Sequence, residues 1–187
     1  MGQSRFVTPV SWTTANGTAI ASSTTETAIF PARSVPTEEI NQEGRTYRIT
    51  AWGKYSTTSA PTTVFGLRWG SATGGVLLCK SDAIVAASGI TNALWEVEIL
   101  LTVRTAGATG TILAMGTAIV GSGIAPTVGS ATGAAAVGLM GVAGGAAPAA
   151  ATVDLTAATA LTLTATWGTN SASNTLTGME TTTELVN

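Results

Sequence analysis

The chain has 187 residues, with 8 basic against 10 acidic side chains, a net charge of -2 and no histidine. Only 10% of the residues are charged and 45% are hydrophobic. An ordinary soluble domain carries roughly 25% charge, but this apolar content excludes a disordered chain, and the missing basic stripe excludes sequence-independent nucleic-acid binding. The length fits one domain with a real core.

Met1 to Gly17 sets Phe6, Val7, Val10 and Trp12 among Pro9, Thr13, Thr14, Asn16 and Gly17. This predicts a short N-terminal arm or first strand over residues 1–17, followed by one domain over residues 18–187. The opening "MGQSRFVTP" has no charged-then-apolar leader, so Sec export is not expected. Phe6 stands where a myristoylation motif requires Ser or Thr.

A short strand is expected at about Thr25–Phe30, ended by a turn at Pro31 and Pro36. From Arg45 the period is two: Tyr47, Ile49, Ala51 and Tyr55 share one face, and Arg48, Thr50, Trp52 and Lys54 the other. "TTVFGLRWG" and "VLLCKSDAIVA" read as further strands across the turn "SATGG". The strongest strand is "ALWEVEILLTVRT", with Trp95, Val97, Ile99, Leu101 and Val103 opposed to Glu96, Glu98, Thr102 and Arg104. One dry and one wet face is the antiparallel pattern. "AGATG" then turns the chain into "TILAMGTAIV".

Ala131 to Ala151 is long and uncharged, but its side chains are mostly Ala and Gly and no Lys or Arg flanks it. It is read as a strand with Gly/Ala-rich loops rather than a membrane span. In "TALTLTATWG", Leu161, Leu163, Ala165 and Trp167 face one way and Thr162, Thr164 and Thr166 the other. The turn cluster "GTNSASN" predicts a long-looped hairpin between this strand and the last, "NTLTGMETTTELV".

About eight to ten strands at spacings of roughly 8–12 residues imply an all-β fold, a jelly-roll-like antiparallel β-sandwich with a short N-terminal arm. Little chemistry is on offer. Without histidine the commonest base and metal ligand is gone, and the single Cys79 allows no intrachain disulfide and no zinc site, so neither a metal nor a cofactor is expected. Cys79 is read as a small buried hydrophobe. Glu96 and Glu98, roughly 6.5–7 Å apart along their strand, could in principle serve as glycosidase carboxylates. Acids two apart on a wet strand face more simply solvate it, so no enzyme is expected. Trp and Arg are the usual interface anchors; Phe6, Trp12, Trp52 and Arg68 are the candidate interface residues.

The succession "YRITAWGKYSTTSAPTTVFGLRWG", "ALWEVEILLTVRTAGATGTILAMGTA" and "ATVDLTAATALTLTATWGTNSASNTLT" resembles a family of small jelly-roll virion structural proteins of tailed bacteriophages, over about Arg45 to Thr177. The resemblance implies a capsid decoration (cement) protein that forms a homotrimer on the outer capsid surface, bound to the major capsid protein, without a membrane. It further implies that the Thr face of "TALTLTATWG" stays free to meet a neighbouring subunit. A tail-associated fibre or receptor/glycan-binding jelly-roll module is the alternative.

Overall fold

Alternating apolar and polar positions commit most of this chain to extended backbone, since period two places every second side chain on one face of a sheet. The computed structural model describes residues 8–121, 135–142 and 146–186. In it the chain forms β1 (Thr8–Trp12), β2 (Ile20–Ala21), β3 (Thr27–Ala28), β4 (Arg33–Val35), one helical turn α1 (Thr37–Ile40), β5 (Thr46–Ser56), β6 (Thr62–Trp69) and β7 (Val76–Ser81). There follow β8 (Ile84–Val85), β9 (Ala93–Thr105), β10 (Gly110–Val120), β11 (Ala136–Gly141), β12 (Ala151–Val153), β13 (Thr159–Trp167) and β14 (Thr175–Leu185). The expected strands are all present. Among the described residues the count rises to 14 because β2, β4, β8 and β12 are two or three residues long, too short for alternation to show, and the strand expected at Thr25–Phe30 is likewise only the two-residue β3.

All pairings are antiparallel, and hydrogen bonding runs in the order β1-β14-β5-β9-β10-β11-β7-β6-β13-β3, with β2 also on β14 and β4 also on β13. Two walls result. The front sheet is β1/β2, β14, β5 and β9; the back sheet is β3/β4, β13, β6 and β7. The chain shuttles between them in the jelly-roll manner. The β10–β11 hairpin, inserted between β9 and β13, joins the two walls along one side, where β11 meets β7 through Met140 and Ser81.

The predicted inward faces are the ones buried. Tyr47, Ile49, Ala51 and Tyr55 of β5 and Trp95, Val97, Ile99, Leu101 and Val103 of β9 all point into the core. They meet Phe65 and Leu67 of β6 and Leu163, Ala165 and Trp167 of β13. Phe65 and Trp95 touch across the sandwich with ring centroids 5.2 Å apart. Trp95 also fixes the front sheet: its Nε1 donates to the Thr177 carbonyl at 3.2 Å. Gly53 permits this, because a Cβ there would stand 2.1 Å from the Thr177 oxygen and 2.5 Å from the indole.

The hairpin expected between β13 and β14 does not form. β13 pairs with β6 in the back sheet and β14 with β5 in the front, so the loop of residues 168–174 crosses the sandwich. Both strands need an inward apolar face, Leu163 and Trp167 from one wall and Leu176 from the other. A seven-residue connection easily spans the about 10 Å between packed sheets. Trp167 anchors the crossing by donating from Nε1 to the Ile20 carbonyl at 3.2 Å. Thr8–Trp12, inside the N-terminal stretch, is a strand laid along β14 from Thr8↔Leu185 to Trp12↔Thr182.

Trp95→Ala is expected to lower the unfolding free energy by about 3–5 kcal/mol, and Gly53→Val by about 1–3 kcal/mol through overpacking. Urea unfolding followed by circular dichroism measures both; a loss of only a few tenths at either site would show that this cross-wall contact is dispensable.

Candidate functional site

The front sheet presents its outer face to solvent. Along β5 and β9 it carries Arg48, Thr50, Trp52 and Lys54 beside Glu96, Glu98 and Leu100. Trp52 is half-buried and lies directly across from Glu96 on one side and Glu180 on the other. Arg48 Nε stands 3.3 Å from Glu98 Oε1, close enough for an ion pair but not aligned as a hydrogen bond. Both side chains are about half exposed, so the pair adds little stability.

The same face turns apolar toward β10 and β11. Leu100 lies across from Met115, and Leu139 across from Thr117 one pleat further on. All three large side chains are exposed, at 41%, 40% and 62%. With Pro148 they wall a groove of about 500 Å³ that Glu98 and Thr117 border. Contiguous exposed apolar groups of this kind mark interaction surfaces. The sequence signal was present but mixed: Leu100, Met115 and Leu139 sit at polar-face positions of otherwise alternating strands.

The back sheet is sealed by polar groups instead. Arg68 on β6 grips Glu26 with a two-pronged bond, Nε to Oε1 at 2.7 Å and Nη2 to Oε2 at 2.6 Å, and its Nη1 donates to the Gly75 carbonyl. Thr164 donates to Glu26 Oε1 at 2.6 Å and Thr162 to the Gly70 carbonyl at 2.6 Å. Gly66 leaves room for the carboxylate, since a Cβ there would stand 3.3 Å from Glu26 Oε1. The expected free Thr face of β13 is therefore overturned: Thr162 and Thr164 are buried under the Glu26 segment, their hydroxyls spent inside the chain. Burial by itself would raise the Glu26 carboxyl. The hydrogen bonds from Arg68 and Thr164 and the charges of Arg68 and Lys80 outweigh it and hold the group below the ordinary glutamate value.

The side of the sandwich opposite the β10–β11 join is a seam between two strand edges, β1 and the chain after it on one bank and β4 with the chain before it on the other. Gly17 closes one end, donating its N–H to the Gly178 carbonyl while its Cα packs against the Ile29 carbonyl. At the other end Arg33 Nη1 reaches the Trp12 carbonyl at 3.4 Å. Between them lies a cavity of about 480 Å³, walled by Phe30, Tyr47, Ile49, Leu67, Leu161 and Leu163 and flanked by Ser11, Trp12, Thr181 and Thr183. Trp12 is 57% exposed on its rim.

Of the candidate interface residues, Trp12 and Trp52 thus lie on separate surfaces, Arg68 is committed to Glu26, and Phe6 lies outside the described residues. Cys79 is fully buried in β7, and desolvation pushes its thiol up to about 12. Among the described residues no cluster of three or more metal-ligating side chains occurs, and no helix is long and apolar enough to cross a membrane.

No protein-family model matches the chain, and no curated protein matches it. Among solved structures the chain is similar to the CBM2 module of the evolved Dit of Lactobacillus casei BL23 phage J-1, at 9% identity over 83% of this chain and 69% of that one, with a TM-score of 0.32. That superposition is too loose to transfer either a site or an activity.

Two outcomes follow from the buried groups. Because the folded-state pKa of Glu26 is depressed, its contribution is in place above the ordinary glutamate value and is lost as pH falls through the folded value. Glu26→Gln should therefore lose stability most at neutral pH and converge on the wild type in acid, as read from urea midpoints across pH; a constant gap would refute the assignment. Cys79 should resist a thiol reagent in the native protein at pH 8 and react fully in denaturant.

Proposed function

We propose that the protein is a structural component of a bacteriophage virion: a capsid decoration protein that binds the outside of the head as a homotrimer and stabilises it. The motif succession from Arg45 to Thr177 supports the virion assignment. The observation that carries the assembly is the exposed row Leu100, Met115 and Leu139 on the outer face of β9, β10 and β11. A chain with 10% charged residues has few means to keep such a row solvated. Burying it against another copy removes that cost, and a head-to-tail contact whose rotation closes after three copies gives a ring. Three copies joined in this way leave Trp12, on the seam rim, free as an aromatic anchor toward the major capsid protein. Phe6 precedes it in the same N-terminal stretch.

The role is structural rather than catalytic. Glu98 is paired with Arg48, and Glu96 lies beside Trp52 on an open face. Neither a nucleic acid nor a membrane is called for.

A second reading draws support from Trp52. A half-exposed indole flanked by Glu96 and Glu180 has the ring face and the acceptors that a sugar would use. On that reading the protein is a tail-associated fibre or glycan-binding module, and immunogold labelling of tails instead of heads would favour it.

Light scattering on the purified protein should give the mass of a trimer. Met115→Glu combined with Leu139→Glu should yield a monomer with unchanged circular dichroism. Capsids lacking the protein should break at lower temperature, and re-addition should restore them. A wild-type protein that stays monomeric at high concentration and never sediments with heads would overturn the proposal.

A further inference from the structure

The seam cavity has a chemistry that the assembly reading does not use. Its back wall is hydrocarbon: Leu161 and Leu163, at 8% and 7% exposure, are the most solvent-touched members of the buried core, and both line it beside Phe30. Tyr47 adds only its ring, because its hydroxyl already donates to the Glu39 carbonyl at 2.9 Å. The opposite bank is different. Ser11 of β1 is 1% exposed, lines the cavity, and has a hydroxyl with no hydrogen-bond partner. A buried hydroxyl left unpaired is costly and uncommon.

One cation belongs to the cavity lining. Arg33 is exposed at the mouth, and its one hydrogen bond among the described residues is the long 3.4 Å contact to the carbonyl of Trp12, the residue next to Ser11. Unlike Arg48 and Arg68 it has no carboxylate partner among the described residues. A guanidinium with spare donors is matched best by a planar carboxylate. The volume, about 480 Å³, falls inside the range of pockets that hold small organic ligands.

We propose that the seam cavity binds a single-chain aliphatic carboxylate. The hydrocarbon lies along Phe30, Leu161 and Leu163, and the carboxylate sits at the mouth, accepting hydrogen bonds from Ser11 Oγ and the Arg33 guanidinium. The head group supplies the partner that Ser11 lacks and the counter-charge that Arg33 lacks. The tail fills an apolar space between walls that the β10–β11 join keeps fixed on the far side. This site is on the opposite side of the sandwich from the Leu100–Leu139 row, so it is independent of how copies assemble.

Isothermal titration with decanoate, below its micellar concentration, tests the assignment on the intact chain. One site per chain is expected, together with a raised melting temperature. Arg33→Gln, a change at an exposed position, should weaken decanoate about tenfold, the loss of roughly 1.4 kcal/mol from a charge-assisted bond, and leave decanol unaffected. Ser11→Ala should also weaken decanoate while the protein melts no lower, because it removes a hydroxyl that had no partner. Ala32→Trp, exposed on the same lip, should block entry without touching the core. Met115→Glu with Leu139→Glu should bind as the wild type does. No heat with decanoate, equal binding by Ala32→Trp, or equal affinity for decanol and decanoate in both wild type and Arg33→Gln would each overturn the proposal.

Discussion

The indole of Trp95 is held from three directions at once. Phe65 of the opposite wall lies against it, the Thr177 carbonyl accepts its N–H, and Gly53 gives up a side chain to let it lie flat under the front sheet. Those contacts join β9, β5, β14 and β6, which is to say both walls of the sandwich. The rest of the core takes its spacing from this one. Because a sheet alternates faces strictly, setting Trp95 inward also sets which residues of β5, β9 and β10 are left outside. The exposed row at Leu100 and Met115 is therefore a direct result of the same register that buries Ile99, Leu101 and Ala114.

Scarcity of charge shifts the polar work to hydroxyls. Thr46 and Thr102 bond across β5 and β9, Thr105 and Thr111 across β9 and β10, and Thr181 donates to the Thr50 carbonyl. Such pairs each contribute roughly 0.2–1 kcal/mol, small singly but repeated along the sheets. The one tight ion pair among the described residues, Glu26 with Arg68, is placed where it also closes a surface: it covers the back sheet over Gly66 and consumes Thr164. One outer face is thereby finished within the chain, and the other is left open.

The long strands were legible in the sequence because each carries enough alternation to reveal its own face, as Tyr47 to Tyr55 and Trp95 to Val103 do. What depends on distant partners was not. Nothing near Thr164 announces that Glu26, 138 positions earlier, will cover it. The turn residues from Gly168 to Asn174 signal a reversal but not whether the chain returns within its own sheet or crosses to the other. Ser11 looks like any hydroxyl in a Thr-rich stretch until β1 is seen to turn it inward beside Thr183. Period two alone puts Trp52 on the polar face of its strand, whereas nothing near Arg68 shows that its guanidinium is tied to Glu26 in a different segment.

The position of β14 bears on how the polypeptide comes to be folded at all. It lies between β1 and β5, so the earliest described strand has no neighbour until residues 175–185 exist. During synthesis β5 and β9 can find one another, but the wall they belong to stays half built, with Tyr47 and Ile49 uncovered on one side. Maturation thus waits on the synthesis of residues 175–185, and a nascent chain stalled before them would be a sticky intermediate rather than a smaller version of the finished fold.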